Sequence, residues 1–291
     1  MSVSIVGVVG AGFMGSGIAE SVAFAGKHAV LYEPEQGPLD RSRDGLAASL
    51  AKSVSRGRLT REEASEIADR VVYTTRFEDL TGSDAVVEAI TENLAIKGEL
   101  FERLDVALPN AQFLASNTSS IPIAELAART SRPERVLGLH FFSPVPVMKL
   151  VEVVIALDTS REAVDVAEEF AGELGKQPIE TKDRSGFIVN MLLIPYLVAA
   201  VRMFEDGFAT REDIDIGMKL GCGHPMGPLT LCDFIGLDVI YAVCDSLYEE
   251  FKRPEYAPPP LLSRMLASGR LGRKSGRGFY DYAETPATVA A

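Results

Sequence analysis

A histidine and a lone carboxylate stand inside one apolar run, VLGLHFFSPVPVMKLVEVV (residues 136–154): His140 and, further along, Glu152. Polar groups are costly in apolar surroundings unless they are paired. Imidazole is the side chain that exchanges protons near neutral pH, and the chain has only three histidines. SPVP (143–146) is a strong turn signal. If the chain folds back about Pro146, residues 140 and 152 come opposite each other. A carboxylate beside the imidazole would then orient the ring and stabilise its protonated form, the arrangement of an acid–base dyad. The same spacing fits a structural His–Glu ion pair that closes a hairpin, and spacing alone does not choose between them.

A second constellation lies near the N-terminus. VVGAGFMGSG contains G-x-G-x-x-G at Gly10, Gly12 and Gly15, with Ala11, Phe13 and Met14 filling the loop. The pattern is weak by itself, but here it follows a strand-like run and opens a helical one, the context a dinucleotide site needs. Gly10 permits the tight turn, Gly12 lets the backbone approach a pyrophosphate, and Gly15 lets helix and strand pack closely. The pyrophosphate would rest on the helix N-terminus, where N–H groups and the dipole favour an anion. Glu33 ends the next strand at the spacing expected of the acidic residue that binds the adenosine ribose. Its charge would repel a 2′-phosphate, which favours NAD over NADP. The alternative is a plain tight turn followed by a solvated glutamate.

These groups need a scaffold, and the texture of the first half supplies one. Strand-like SIVGVVG (4–10), HAVLYE (28–33), VVYTT (71–75), AVVEAI (85–90), QFLASN (112–117), VLGLHFF and KLVEVVIAL alternate with helical patterns. The helices are expected over 16–26, 41–56, 60–69 and 96–108, and TREE before the third is a capping-box pattern. Alternation of this kind indicates an α/β fold with a doubly wound, mostly parallel sheet of Rossmann type. From about Asp183 helical patterns take over: 187–206, 210–221, one helix from about 228 to 251, and 258–269. The expected organisation is a nucleotide-binding domain over 1–183 and a smaller all-helical domain over 184–291. The closing ETPATVAA has small residues and is expected to fray.

On that scaffold the remaining candidates can be placed. Open α/β sheets bind ligands at the carboxyl ends of their strands. His140 lies at such an end; His28 begins a strand, and His224 lies in a turn of the helical half. SNTSS (116–120), with Ser119, also follows a strand end, although taken alone it reads as the N-cap of the helix IPIAELAAR. Asn190 sits near the start of the long apolar helix past the junction, either as a hydrogen-bonded structural group or reaching toward a substrate between domains.

Composition narrows the function classes. A net charge of −12 without a Lys/Arg block argues against nucleic acid or an anionic membrane as the main partner. Three cysteines without a C-x-x-C pair make disulfides and zinc unexpected and fit a reducing cytoplasm. No basic region followed by an apolar segment opens the chain, so no signal peptide is expected. The apolar window 187–204 approaches a membrane span in length, but Asn190, Pro195 and Arg202 interrupt it and favour a buried helix.

GAGFMGSGIAE, ASNTSSIPI, HFFSPVPVMKLVEV, DRSGFIVN, HPMGPL, DFIGLD and LGRKSGRGFYDY occur in this order over nearly the whole chain. Together they resemble the 3-hydroxyacyl-CoA dehydrogenase family, notably the short bacterial 3-hydroxybutyryl-CoA dehydrogenases. The resemblance implies His140 as catalytic acid/base, Glu152 as its partner, and Ser119 and Asn190 on the substrate oxygen. It further implies Glu92 and Lys97 on the nicotinamide side of NAD, Ser49 and Arg56 in contact with CoA, and a homodimer formed through the helical domain. Two positions depart from the family pattern. Ser143 stands where HFFNP has Asn near the nicotinamide, and Met191 replaces an Arg after Asn190. Three functions therefore compete: a dehydrogenase of short 3-hydroxyacyl-CoA thioesters, a relative acting on a carrier-protein-bound acyl group, and a non-catalytic NAD-binding protein.

Overall fold

A computed structural model describes residues 3–282, so the ETPATVAA tail lies outside the described residues. The chain divides after Arg184 into two compact units, Met1–Arg184 and Ser185–Ala291.

The first unit is built on one sheet. Its strands are β1 (Ile5–Val9), β2 (His28–Tyr32), β3 (Val71–Thr74), β4 (Ala85–Glu88), β5 (Leu114–Ser116), β6 (Val136–Phe141), β7 (Leu150–Ile155) and β8 (Gln177–Lys182). Across the sheet they run β3-β2-β1-β4-β5-β6-β7-β8. Every pair is parallel except β6 with β7. The helices are α1 (Phe13–Phe24), α2 (Gln36–Ser55), α3 (Arg61–Asp69), α4 (Leu94–Ala107), α5 (Ile123–Ala127) and α6 (Arg161–Glu173).

The central strands are continuous apolar runs because a parallel sheet is buried on both faces. All of β4 and β6 is buried. Val6, Val8, Val87, Phe113 and Leu139 belong to one core cluster. Helix α3 opens on a capping box, with Glu63 N donating to Thr60 Oγ1 (3.1 Å) and Thr60 N donating to Glu63 Oε2 (2.8 Å). Sequence reasoning carries no element between β7 and Asp183, yet α6 and β8 lie there. Strand β8, QPIETK, borders the sheet with no fully buried residue, so it lacks the apolar run that marks a central strand.

The second unit comprises α7 (Val189–Glu205), α8 (Arg211–Gly221), α9 (Pro228–Ile235), α10 (Leu237–Phe251) and α11 (Pro260–Ala267). The single helix expected over 228–251 is two helices, broken at Gly236, whose φ of +107° no helix accommodates. Leu197, Val201, Leu229, Ile240 and Leu247 share its core. No described helix is long and apolar enough to cross a membrane.

Buried Asp233 in α9 pins the segment GRGFYDY. It accepts from the Phe279 amide (2.8 Å), the Tyr280 amide (2.9 Å) and the Tyr282 hydroxyl (3.0 Å). Burial pushes its carboxyl above the usual range, against the pull of those donors. Asp233→Ala orphans these donors and is expected to lower stability by about 2–4 kcal/mol, measured by urea denaturation.

Candidate active site

Strands β6 and β7 form the hairpin that holds the first pair. Their antiparallel register sets His140 directly opposite Glu152. Directly opposed side chains share one face of the sheet and meet at short range. His140 Nδ1 lies 2.7 Å from Glu152 Oε2. The histidine is 7% exposed and the glutamate 0%, so little water screens the contact. Phe142 packs against the imidazole at 4.6 Å between ring centroids. With Nδ1 directed at the carboxylate, Nε2 is the ring nitrogen that an acid–base role would use.

The SNTSS loop lies between β5 and α5, and its residues face several neighbours. Asn117 Oδ1 accepts from the Phe141 amide at 2.9 Å, which ties the loop to β6 beside His140. Glu92 Oε1 accepts from Thr118 Oγ1 (3.0 Å) and from the Ser119 amide (2.9 Å). Thr118 Oγ1 in turn accepts from the amides of Ser120 (3.2 Å) and Ile121 (2.9 Å). The serines do not cap α5. Asp183 does, accepting from the Ile123 amide at 2.9 Å and the Ala124 amide at 2.8 Å. The loop is thus held at several points, and Ser119 is half-buried.

Lys97 is buried in the first turn of α4 and bridges two carboxylates, Glu88 at 2.6 Å and Glu92 at 3.2 Å. Sequence reasoning missed Glu88 and Asn117. The signal for Glu88 was available: AVVEAI sets a carboxylate at the end of an apolar strand, the same anomaly that singled out Glu152. Asn117 carried no such signal, because its role is to hydrogen-bond a distant backbone.

The glycine loop joins β1 to α1. Gly10 has φ +102°, and a Cβ there would stand 2.6 Å from Ala89 O; one on Gly15 would stand 1.8 Å from Gly10 O. A Cβ on Gly12 would meet nothing within 4 Å, so this backbone faces open space. No side chain caps α1, and its first turn holds no acidic residue. Glu33 Oε2 accepts from the Ala11 amide at 3.1 Å, next to that opening. Ala11 is buried, Met14 half-buried and Phe13 exposed. An open backbone at an uncapped helix N-terminus, with a carboxylate at the neighbouring strand end, fits a dinucleotide with free ribose hydroxyls.

The remaining candidates lie on other segments of the chain. Ser143 is exposed in the turn between β6 and β7. Ser49, in α2, donates to Glu20 Oε1 at 2.5 Å, and burial raises the Glu20 carboxyl despite that hydrogen bond. Arg56 is the exposed C-cap residue of α2. Asn190 belongs to the second unit, half-buried in the first turn of α7. His28 is exposed at the start of β2, and His224 Nδ1 lies 3.1 Å from the Tyr196 hydroxyl.

Comparison with known proteins agrees with this layout. The model of the NAD binding domain of 3-hydroxyacyl-CoA dehydrogenase matches residues 5–184, and that of its C-terminal domain matches 186–282. A 3-hydroxybutyryl-CoA dehydrogenase of Mycobacterium tuberculosis is 52% identical over 95% of this chain and 98% of its own length. One from Clostridioides difficile is 43% identical over 94% of this chain and 98% of its own. The crystal structure of (S)-3-hydroxybutyryl-CoA dehydrogenase from Ralstonia eutropha superposes with a TM-score of 0.92 at 43% identity, covering 97% of this chain and 99% of that one. A sheet with a glycine loop at its switch point, a buried His–Glu pair three strands along and family matches to both units lead to one conclusion: this chain is an NAD-binding member of the 3-hydroxyacyl-CoA dehydrogenase family.

Proposed function

We propose that the protein interconverts an (S)-3-hydroxyacyl-CoA and the corresponding 3-oxoacyl-CoA, with short acyl chains such as hydroxybutyryl as its substrates. The observation that carries the reading is the buried His140–Glu152 contact of 2.7 Å near a strand end of the NAD-binding unit. The loop at Gly10, Gly12 and Gly15, with Ala11, Phe13, Met14 and Glu33, would hold the cofactor, and Glu92, Lys97 and Ser143 would lie along its nicotinamide half. NAD, when bound, accepts the hydride released from C3 of the substrate and its reduced form returns it.

In oxidation His140 Nε2 takes the proton of the 3-hydroxyl as C3 becomes a carbonyl, and in reduction it gives that proton back. Glu152 keeps the Nδ1 hydrogen in place and offsets the charge the ring acquires. The Ser119 hydroxyl and the Asn190 amide serve as donors to the substrate oxygen. Ser49 and Arg56 serve the CoA moiety. Purified protein is expected to oxidise NADH in the presence of acetoacetyl-CoA, followed by absorbance. Absence of turnover across CoA thioesters of increasing length would overturn the reading.

Ser143, standing where the family pattern has Asn, supports a second reading in which the acyl group arrives on a carrier protein. Acetoacetyl groups on CoA and on carrier protein, compared in the same assay, decide between them. The working form is a homodimer built through the helical unit, where Leu192 (73%), Phe208 (79%) and Leu220 (82%) are largely exposed. The unpaired cysteines Cys222, Cys232 and Cys244 support residence in the cytoplasm.

A further inference from the structure

Glu88 ends β4 with no exposed surface, and the proton transfer described above makes no use of it. Its Oε1 accepts from Lys97 Nζ (2.6 Å) and from the Ile90 amide (2.7 Å), and its Oε2 accepts from Ser116 Oγ (2.6 Å). Ser116 Oγ itself accepts from the Thr118 amide at 3.2 Å, so its own hydrogen is the one directed at Glu88. Lys97 also meets Glu92 at 3.2 Å, and the other Glu92 oxygen takes two donors from the SNTSS loop. Each of these contacts brings a donor to a carboxyl oxygen, as two ionised carboxylates require. One ammonium shared by two carboxylates leaves the cluster with one uncompensated negative charge.

Topology says which part of the cofactor that charge faces. Glu33 follows β2 and the glycine loop follows β1, while β4, β5 and β6 continue the sheet in the other direction. A dinucleotide with its adenosine ribose at Glu33 and its pyrophosphate at the glycine loop carries its other half over the ends of β4 and β5. Glu88 and Ser116 are those strand ends, and His140 is near the end of the next strand. Backbone contact closes the link, since a Cβ on Gly10 would stand 2.6 Å from Ala89 O, the residue after Glu88. The oxidised nicotinamide ring is a cation and the reduced ring is neutral. Glu88 and Lys97 are buried, so water screens the cluster poorly on that side, and its charge acts over several ångströms although Glu92 is partly exposed.

We propose that the Glu88–Lys97–Glu92 cluster sets the site's preference between oxidised and reduced cofactor, its net negative charge favouring the cationic ring. This rests on NAD as the occupant of the site. The test is equilibrium titration of the full-length protein with NAD+ and with NADH separately, without acyl substrate, for wild type, Glu88→Gln and Glu92→Gln. Each substitution removes one negative charge while keeping the side-chain shape. Binding of NAD+ is expected to weaken about fivefold more than that of NADH in both variants. The ratio of the two Kd values then rises in both. Parallel weakening of both nucleotides, or no change in either, overturns the proposal, because a merely structural role would move the two together. Glu92 is partly exposed (side chain 43%), so Glu92→Gln tests the charge even if Glu88→Gln fails to fold. If wild type binds neither nucleotide, the assignment of NAD fails instead.

Discussion

Replacing His140 with Gln is expected to lower kcat for acetoacetyl-CoA reduction about 10³-fold, while NADH still binds within about threefold of wild type. The substitution keeps a polar group of similar reach, and its amide can donate to Glu152 Oε2 as Nδ1 does now at 2.7 Å. The pair's buried carboxylate therefore keeps a partner and the hairpin keeps its register. What is lost is the nitrogen that accepts and returns a proton, because an amide does neither near neutral pH. Single-turnover absorbance measures the chemical step, and fluorescence titration with NADH measures binding. Wild-type turnover in the variant would remove His140 from the reaction and leave the pair as a brace.

Glu152→Gln separates those two roles by a different route. Glu152 is fully buried between Val151 and Val153. As a carboxylate it can only accept, which fixes the hydrogen of a neutral imidazole on Nδ1 and leaves Nε2 as the base. A Gln can turn its NH₂ toward Nδ1, and the ring then carries its hydrogen on Nε2, where no proton can be taken up. It also leaves the imidazolium without a counter-charge in a buried site. We expect kcat to fall about 10²–10³-fold with little change in the KM for NADH. A brace would give the opposite pattern: a lower melting temperature, with full turnover per folded molecule. Circular dichroism on the samples used for kinetics distinguishes the two.

The features legible in the sequence were those with a local cause. The glycine loop announces itself because its backbone geometry excludes side chains at Gly10 and Gly15. The hairpin register was legible because SPVP forces a return about a known pivot, which places residues 140 and 152 across from each other. The capping box at Thr60 is a pattern within four residues. Features with a distant cause were not legible. Helix α5 takes its cap from Asp183, sixty positions away along the chain, so the nearby serines invited the wrong partner. Strand β8 is held by pairing with β7 and not by its own composition. The break at Gly236 separates two helices whose apolar periodicity runs on without interruption.

By itself, then, the sequence determined a doubly wound sheet, a dinucleotide loop preferring NAD, and a histidine and a glutamate facing each other across a turn. Turn chemistry, strand periodicity and excluded side chains all act within a few residues of their cause. Only the tertiary structure decided which partners hold the polar groups of the site. Glu88, Lys97, Glu92, Ser116 and Ser119 come from β4, α4, β5 and the loops that follow β4 and β5, and no spacing rule brings them together. They meet because parallel strands collect their carboxyl ends on one edge of the sheet. A carboxylate buried there must find its donors wherever the fold delivers them.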